Sequence, residues 1–363
     1  MASAAAGGAA RSWSPPDCAG GSSPADAARQ IVPAEPAAMA GLPWFRVDPQ
    51  IDDRGELASE RVITGIQGGP VLAPIDLPPE SFAAGPFGRA VLAGSDDGAT
   101  SRLLVIDVAA SCAFRVAAEA GVIRRATIDP SGESIYETRV DRGSRADLGV
   151  WRRPIDSGGP PVLVLPPLAE DDRFGRTFST EFTWAIDGAS LAVQACGPIS
   201  CRTRVLDVAR GVATTLDDPG LGPLVGIADG RIITYAACRG LPCPLLSVDL
   251  AGGPGAIVSP AAAAATVVRG PSSSLVVREE ASVRDETSEL VVSDTRGDGA
   301  TRQPAPAGLH LVAAGPGTGA GSSIPSGWVA LAGDGRVPAT GAVHALLRRP
   351  SDGRTVDLTE VLR

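Results

Sequence analysis

The chain has 363 residues, 44% hydrophobic and 20% charged, with a net charge of −9, so it has material for a large core and too much apolar content for global disorder. The acidic balance opposes binding to nucleic-acid phosphates, and no apolar run is long enough to span a bilayer as a helix. All 32 basic residues are Arg, and Lys and Asn are absent, a bias of composition that says nothing about mechanism.

Residues 1–43 read as a flexible leader rich in Ala, Gly, Pro and Ser, without periodicity. It shows no basic stretch followed by an apolar core, and Pro15-Pro16-Asp17 ahead of Cys18 is a poor lipoprotein cleavage box. Either the protein is cytoplasmic or the chain begins downstream of an export signal. Residues 44–363 read as one all-β domain: apolar residues alternate or run in short blocks, punctuated by turn pairs among 44 Gly and 32 Pro.

The clearest unit runs from Phe178 to Leu216. Glu181-Phe182-Thr183-Trp184 suits an inner strand, Asp187-Gly188 a turn, and Leu191–Ala195 a second strand. Arg204–Val208 is a third strand, and Ala209-Arg210-Gly211 turns the chain into Val212–Leu216. Four antiparallel strands in about 40 residues is the size of one propeller blade. Copies are marked by an aspartate closing the third strand, at Asp76, Asp107, Asp156, Asp207, Asp249, Asp294 and, degenerately, Asp352. The intervals of 31, 49, 51, 42, 45 and 58 residues bracket the blade period, with the outliers at the two ends. The expected fold is a β-propeller of six or seven four-stranded blades, the seven markers favouring seven. Closure is expected to combine strand material from residues 44–66 with the last blade, removing an open edge.

Trp184-Ala185-Ile186-Asp187-Gly188-Ala189-Ser190-Leu191-Ala192 resembles the W-S-P-D-G-x-x-L-A repeat motif of TolB-like, WD40-related bacterial β-propellers, and Asp129–Ile135 is a looser match. The resemblance covers roughly residues 61–363. Its motif is a turn between two strands and carries no catalytic residue across.

Six cysteines include two C-x4-C pairs, Cys196/Cys201 and Cys238/Cys243, at the same point of adjacent repeats. Opposed hairpin residues are close enough for disulfides, and Cys112 could then bind Cys18. Reduced thiols and a four-Cys zinc site are the alternatives. Disulfides would place the protein outside the cytoplasm, in a secreted, periplasmic or cell-surface setting.

Catalytic signals are sparse. His310 and His344 each interrupt an apolar strand and read as strand-edge packing, and there is no G-x-S-x-G nucleophile turn. Acidic loops could supply Ca²⁺ oxygens, but none matches a calcium-loop spacing, so no cofactor or metal site is assigned. Arg296-Gly297-Asp298 follows a marker aspartate and reads as a turn.

Loops joining second to third strands share one propeller face with the blade-to-blade connections. That face would carry Asp96, Asp97, Arg142, Arg145, Arg202, Arg239 and Arg284, with Glu170, Asp171, Asp172 and Arg173 on the longest connection. Arginines among carboxylates can recognise peptides or anionic small molecules, or simply keep the face soluble. The sequence favours a monomeric, non-catalytic, extracytoplasmic binding or scaffold protein. The alternative is a propeller enzyme of lactonase, lyase or glycosidase type with a metal at the channel mouth.

Overall fold

The computed structural model describes residues 43–52, 57–66, 75–77, 82–84, 89–95, 101–107, 112–119, 122–141, 143–144, 146–155, 159–169, 179–252, 255–281, 288–306, 308–312, 327–336 and 343–357. Every regular element among them is a strand, and no helix long and apolar enough to cross a membrane occurs there.

The strands form seven antiparallel sheets that follow one another along the chain. The first has three strands, β1 (Pro43–Ile51), β2 (Leu57–Ile66) and β3 (Ile75–Leu77). Each of the others is a four-stranded meander. They comprise β4 (Phe82–Ala84), β5 (Arg89–Ser95), β6 (Ser101–Asp107) and β7 (Cys112–Glu119); then β8 (Val122–Ile128), β9 (Ser134–Val140), β10 (Asp147–Pro154) and β11 (Val162–Leu165). The fourth sheet holds β12 (Ser179–Trp184), β13 (Ser190–Cys196), β14 (Cys201–Asp207) and β15 (Val212–Leu216). The fifth holds β16 (Leu221–Ala228), β17 (Arg231–Ala236), β18 (Cys243–Asp249) and β19 (Ala256–Ala262). The sixth holds β20 (Ala264–Arg269), β21 (Ser274–Ala281), β22 (Ser288–Asp294) and β23 (Thr301–Pro304). The last holds β24 (His310–Leu311), β25 (Val329–Arg336), β26 (Val343–Arg348) and β27 (Thr355–Asp357).

First strands of successive sheets pack on each other, β4 on β8, β8 on β12, β12 on β16 and β16 on β20. Ala185, just past β12, makes a parallel bridge with Ile227 of β16. Sheets that stack this way around their first strands make a β-propeller, with those strands innermost.

The core is divided among the sheet-to-sheet interfaces. Leu103 and Val105 meet Ile123 and Ile135 between the second and third sheets, and Tyr136 and Val150 meet Phe182 and Trp184 between the third and fourth. Ala192 and Val205 meet Ile227 and Ile232 next, then Ile233 and Leu245 meet Val267 and Val276. Val277 and Leu290 meet Leu309 and Leu331 between the last two sheets. Trp184, with its indole N–H donated to Thr127 Oγ1 at 3.2 Å and its ring edge-on to Tyr136 at 5.2 Å, is core.

Asp107, Asp207, Asp249 and Asp294 each end a third strand, as the repeat spacing requires. The physical reason for an aspartate there is visible in the turns that follow. Asp207 Oδ1 accepts from the Arg210 N–H, Asp249 Oδ1 from Ala251, and Asp294 Oδ1 from both Arg296 and Asp298, fixing the turn into the fourth strand. Arg296-Gly297-Asp298 is therefore turn backbone. Asp352 does the same for Arg354 N from within its turn. Asp76 is the middle residue of the three-residue β3, and Asp156 lies outside the described residues. In the opposite turns, Asp229-Gly230 forms a two-residue hairpin with both φ positive, 52° and 70°, the pattern that suits strand twist.

One expectation is overturned. Among the described residues no strand of the first sheet joins the last: β1 pairs with β2 along its length, and β24–β27 supply the final sheet themselves. His310-Leu311 form a strand of their own beside β25, so the C-terminal segment fills all four places.

Candidate functional site

Strand direction alternates within each sheet, so first strands begin, second strands end and third strands begin on one common face. This is the face on which the sequence placed its candidate residues.

Two bulges shape the mouth of the channel. In β8 the register with β9 shifts between Ile123 and Arg125, so Arg124 is an extra residue and is exposed. Arg125, half-buried, places its guanidinium 3.2 Å from Glu181 Oε1 on β12. In β16 the register with β17 shifts between Leu221 and Leu224, and again between Leu224 and Gly226. The backbone groups loosened there are taken up by side chains: Gln194 Oε1 accepts the Leu224 N–H at 2.8 Å, and Thr234 Oγ1 donates to Gly222 O at 2.9 Å.

Glu279, near the end of β21, repeats the role of Gln194 two interfaces on. It is 3% exposed, accepts the Leu311 N–H at 2.7 Å through Oε2, and meets His310 Nδ1 at 2.7 Å through Oε1. A second-strand polar side chain thus caps the first strand of the next sheet at two interfaces.

Two charge clusters lie within the sheets, one buried and one part-buried. Glu137 is wholly buried and receives Arg139 Nε at 2.7 Å and Arg153 at 2.9 Å, while Arg139 also lies 4.8 Å above the Trp151 ring. On β21, Arg278 donates to Glu280 and Ser293, both at 2.8 Å, and Glu280 accepts from Ser259 of the neighbouring sheet. Burial works to raise the Glu280 carboxyl, but hydrogen bonds from Arg278 and Ser259 and the charge of Arg302 outweigh it and hold it below its ordinary value.

Of the residues named in advance for this face, the described set contains Arg202 and Arg239. Asp96, Asp97, Arg142, Arg145, Glu170, Asp171, Asp172, Arg173 and Arg284 lie outside it. Arg202 stands in β14 rather than in a loop. It pairs with Asp217 and donates to Ala169 O at 2.9 Å, while Arg204 donates to Pro166 O and Asp147 Oδ2 accepts the Leu168 N–H at 2.7 Å. These contacts fasten the start of the longest connection to the sheets. Burial pushes the Arg204 guanidinium below its ordinary value, against the opposing pull of Asp147.

Arg239 is exposed in a loop closed by Cys238 and Cys243, whose Cα atoms are 6.4 Å apart. The homologous loop one sheet earlier is closed by Cys196 and Cys201, directly paired at 4.1 Å. Both pairs are disulfides, as the C-x4-C spacing predicts. Cys18 lies outside the described residues, as does the side chain of Cys112 at the start of β7.

Arg124, Arg125, Glu181 and Glu279 were not singled out as site residues in the sequence. One signal was available: Arg124-Arg125 places consecutive charges in an apolar strand, which breaks the alternation of its two faces. Among the described residues no three His, Cys, Asp or Glu side chains converge closely enough to hold a metal ion.

No family model matches the chain, and no curated protein matches it. Solved structures do. A prolyl endopeptidase aligns over 87% of this chain at 15% identity and TM-score 0.56. The match takes in 48% of the endopeptidase, so the chain spans about half its length. An oligogalacturonate lyase in complex with manganese aligns over 88% of this chain and 85% of its own, at 13% identity and TM-score 0.50. TolB from Acinetobacter baumannii is also among the matches, at 12% identity and TM-score 0.42 over 74% of this chain and 64% of its own. At these identities the likeness shows the β-propeller fold alone.

Proposed function

We propose that the chain is a non-catalytic, extracytoplasmic binding propeller of seven blades, which captures a peptide or small molecule bearing carboxylates at the channel mouth. The observation that carries this reading is the bulge at Arg124, which turns an arginine outward beside the Arg125–Glu181 pair. A bulge at a first-strand entrance re-aims a side chain, and guanidinium groups bind carboxylates with two parallel hydrogen bonds. Arg239 and the acidic and basic residues of the neighbouring loops would extend the same surface. The two disulfides support residence in an oxidising compartment.

The test is thermal stabilisation by a panel of citrate, glutamate-rich peptides and oligogalacturonate, with Arg124→Ala and Arg125→Ala alongside the parent. Stabilisation by a panel member that is lost in Arg124→Ala supports the proposal. A shift that persists in both variants, or none across the panel, overturns it. A second reading, a metal-assisted lyase, lactonase or glycosidase, draws on the His310–Glu279 pair beside the same mouth. Turnover of a panel member that depends on added Mn²⁺ and on His310 would select it.

A further inference from the structure

Turns from third to fourth strands lie on the face opposite the channel mouth. Their aspartates account for the backbone and leave the outward side chains unexplained. In two of the described turns an arginine is taken up by an aspartate of its own turn, Arg210 by Asp207 at 3.6 Å and Arg349 by Asp352. The turn between β22 and β23 differs. Arg296 and Asp298 are both exposed, and among the described residues neither side chain has a hydrogen bond or ion pair. The rest of the turn is fixed. Asp294 Oδ1 accepts the N–H groups of Arg296 and Asp298, each at 2.8 Å, the Asp294 N–H donates to Asp298 O at 3.1 Å, and Thr295 is buried. Gly297, at φ 90°, lies against the fifth sheet, where a β-carbon would come within 3.2 Å of Val258 Cα.

We infer that Arg296-Gly297-Asp298 is an adhesion site, a tripeptide ligand for a cell-surface receptor that takes the Asp298 carboxylate onto its own divalent cation and holds the Arg296 guanidinium with a carboxylate. The two ends of the tripeptide call for that chemistry. An open carboxylate is a hard oxygen ligand that completes the coordination of Mg²⁺ or Ca²⁺ carried by another protein. An open guanidinium presents parallel N–H donors that match a carboxylate. The two charges stand one residue apart with no ion pair between them, so the complementary surface needs a cation and an anion at that spacing. A nucleic-acid backbone or an anionic bilayer offers one sign only. A turn already held in shape loses little conformational entropy on capture, and glycine supplies the positive φ without strain. The site faces away from Arg124 and goes beyond the proposed function, sharing with it only residence outside the cytoplasm. Mapping of the disulfides tests that residence separately.

Binding of the full, oxidised chain to the immobilised ectodomain of the vitronectin-receptor integrin, in buffer containing Mn²⁺, tests this. Binding is expected at about 10 µM chain or below, abolished by EDTA and displaced by the soluble peptide Gly-Arg-Gly-Asp-Ser. Asp298→Glu keeps the charge but moves the carboxylate out by one methylene, and should weaken binding at least tenfold. An unchanged melting temperature in that variant excludes misfolding as the cause. Arg210→Ala removes an outward arginine from a neighbouring turn and should leave binding as it is, which separates the tripeptide from general surface charge. A chain that does not bind at that concentration overturns the inference. So does binding that survives EDTA or Asp298→Glu, or that falls as far in Arg210→Ala as in Asp298→Glu.

Discussion

Glu137 is shared by two buried guanidinium groups, and a charge network of this kind is destabilised most when one member is removed. Glu137→Ala should cost about 3–5 kcal/mol, read as a fall in the urea midpoint, because two cations then remain in the third sheet without it. Glu280 makes a pH prediction. Its carboxyl is held below its ordinary value in the fold, so its stabilising contribution is present above the unfolded pKa and disappears as pH falls through the lower, folded one. Glu280→Gln should therefore lower the neutral plateau of a stability–pH curve and flatten its acid limb, the variant and the parent converging at low pH. Both tyrosines of the chain offer an optical check. Burial pushes the Tyr235 phenol up to about 12 and raises that of Tyr136 as well, against the pull of Arg152. Tyrosinate absorbance at pH 10 should be lower in the native protein than in the denatured chain; a normal native titration would contradict the packing described.

At the scale of strands and turns, much was legible. The marker aspartates located third strands because Asx turns need a short acceptor at one fixed position, and Asp207, Asp249 and Asp294 hold theirs through it. The C-x4-C pairs were legible for a similar reason: a hairpin loop of fixed length brings its ends within bonding distance. Channel-mouth chemistry was not legible. Arg125 meets Glu181 and Glu279 meets Leu311 across sheet interfaces, and nothing in linear spacing reports which residues face each other after the sheets stack. Bulges escaped as well, since a register shift is a property of two strands. The disulfides can be tested at this scale. Proteolysis without reduction should leave Cys196 linked to Cys201 and Cys238 to Cys243. Cys196→Ala/Cys201→Ala should lower stability by about 2 kcal/mol, the chain-entropy value for so short a loop.

Among the described residues, four interfaces between successive sheets each have their own apolar cluster and their own polar clasp. The clasps join neighbours in sequence: Trp184 to Thr127, Gln194 to Leu224, Asp229 to Ser274, Glu279 to Leu311. Gln194→Ala, which strips a buried acceptor from the Leu224 N–H, should cost about 1–3 kcal/mol and raise hydrogen exchange at β16 more than at β8. The fourth and fifth sheets have a further link, since the Ile186 N–H donates to Ile227 O at 3.0 Å where their innermost strands run side by side. That contact has a mechanical consequence. If the molecule is pulled by its two ends, sheets held only by side chains should peel away one at a time, each releasing one sheet's length of chain. The segment from Ser179 to Ala262 should instead resist as one body and yield in a single step of double length.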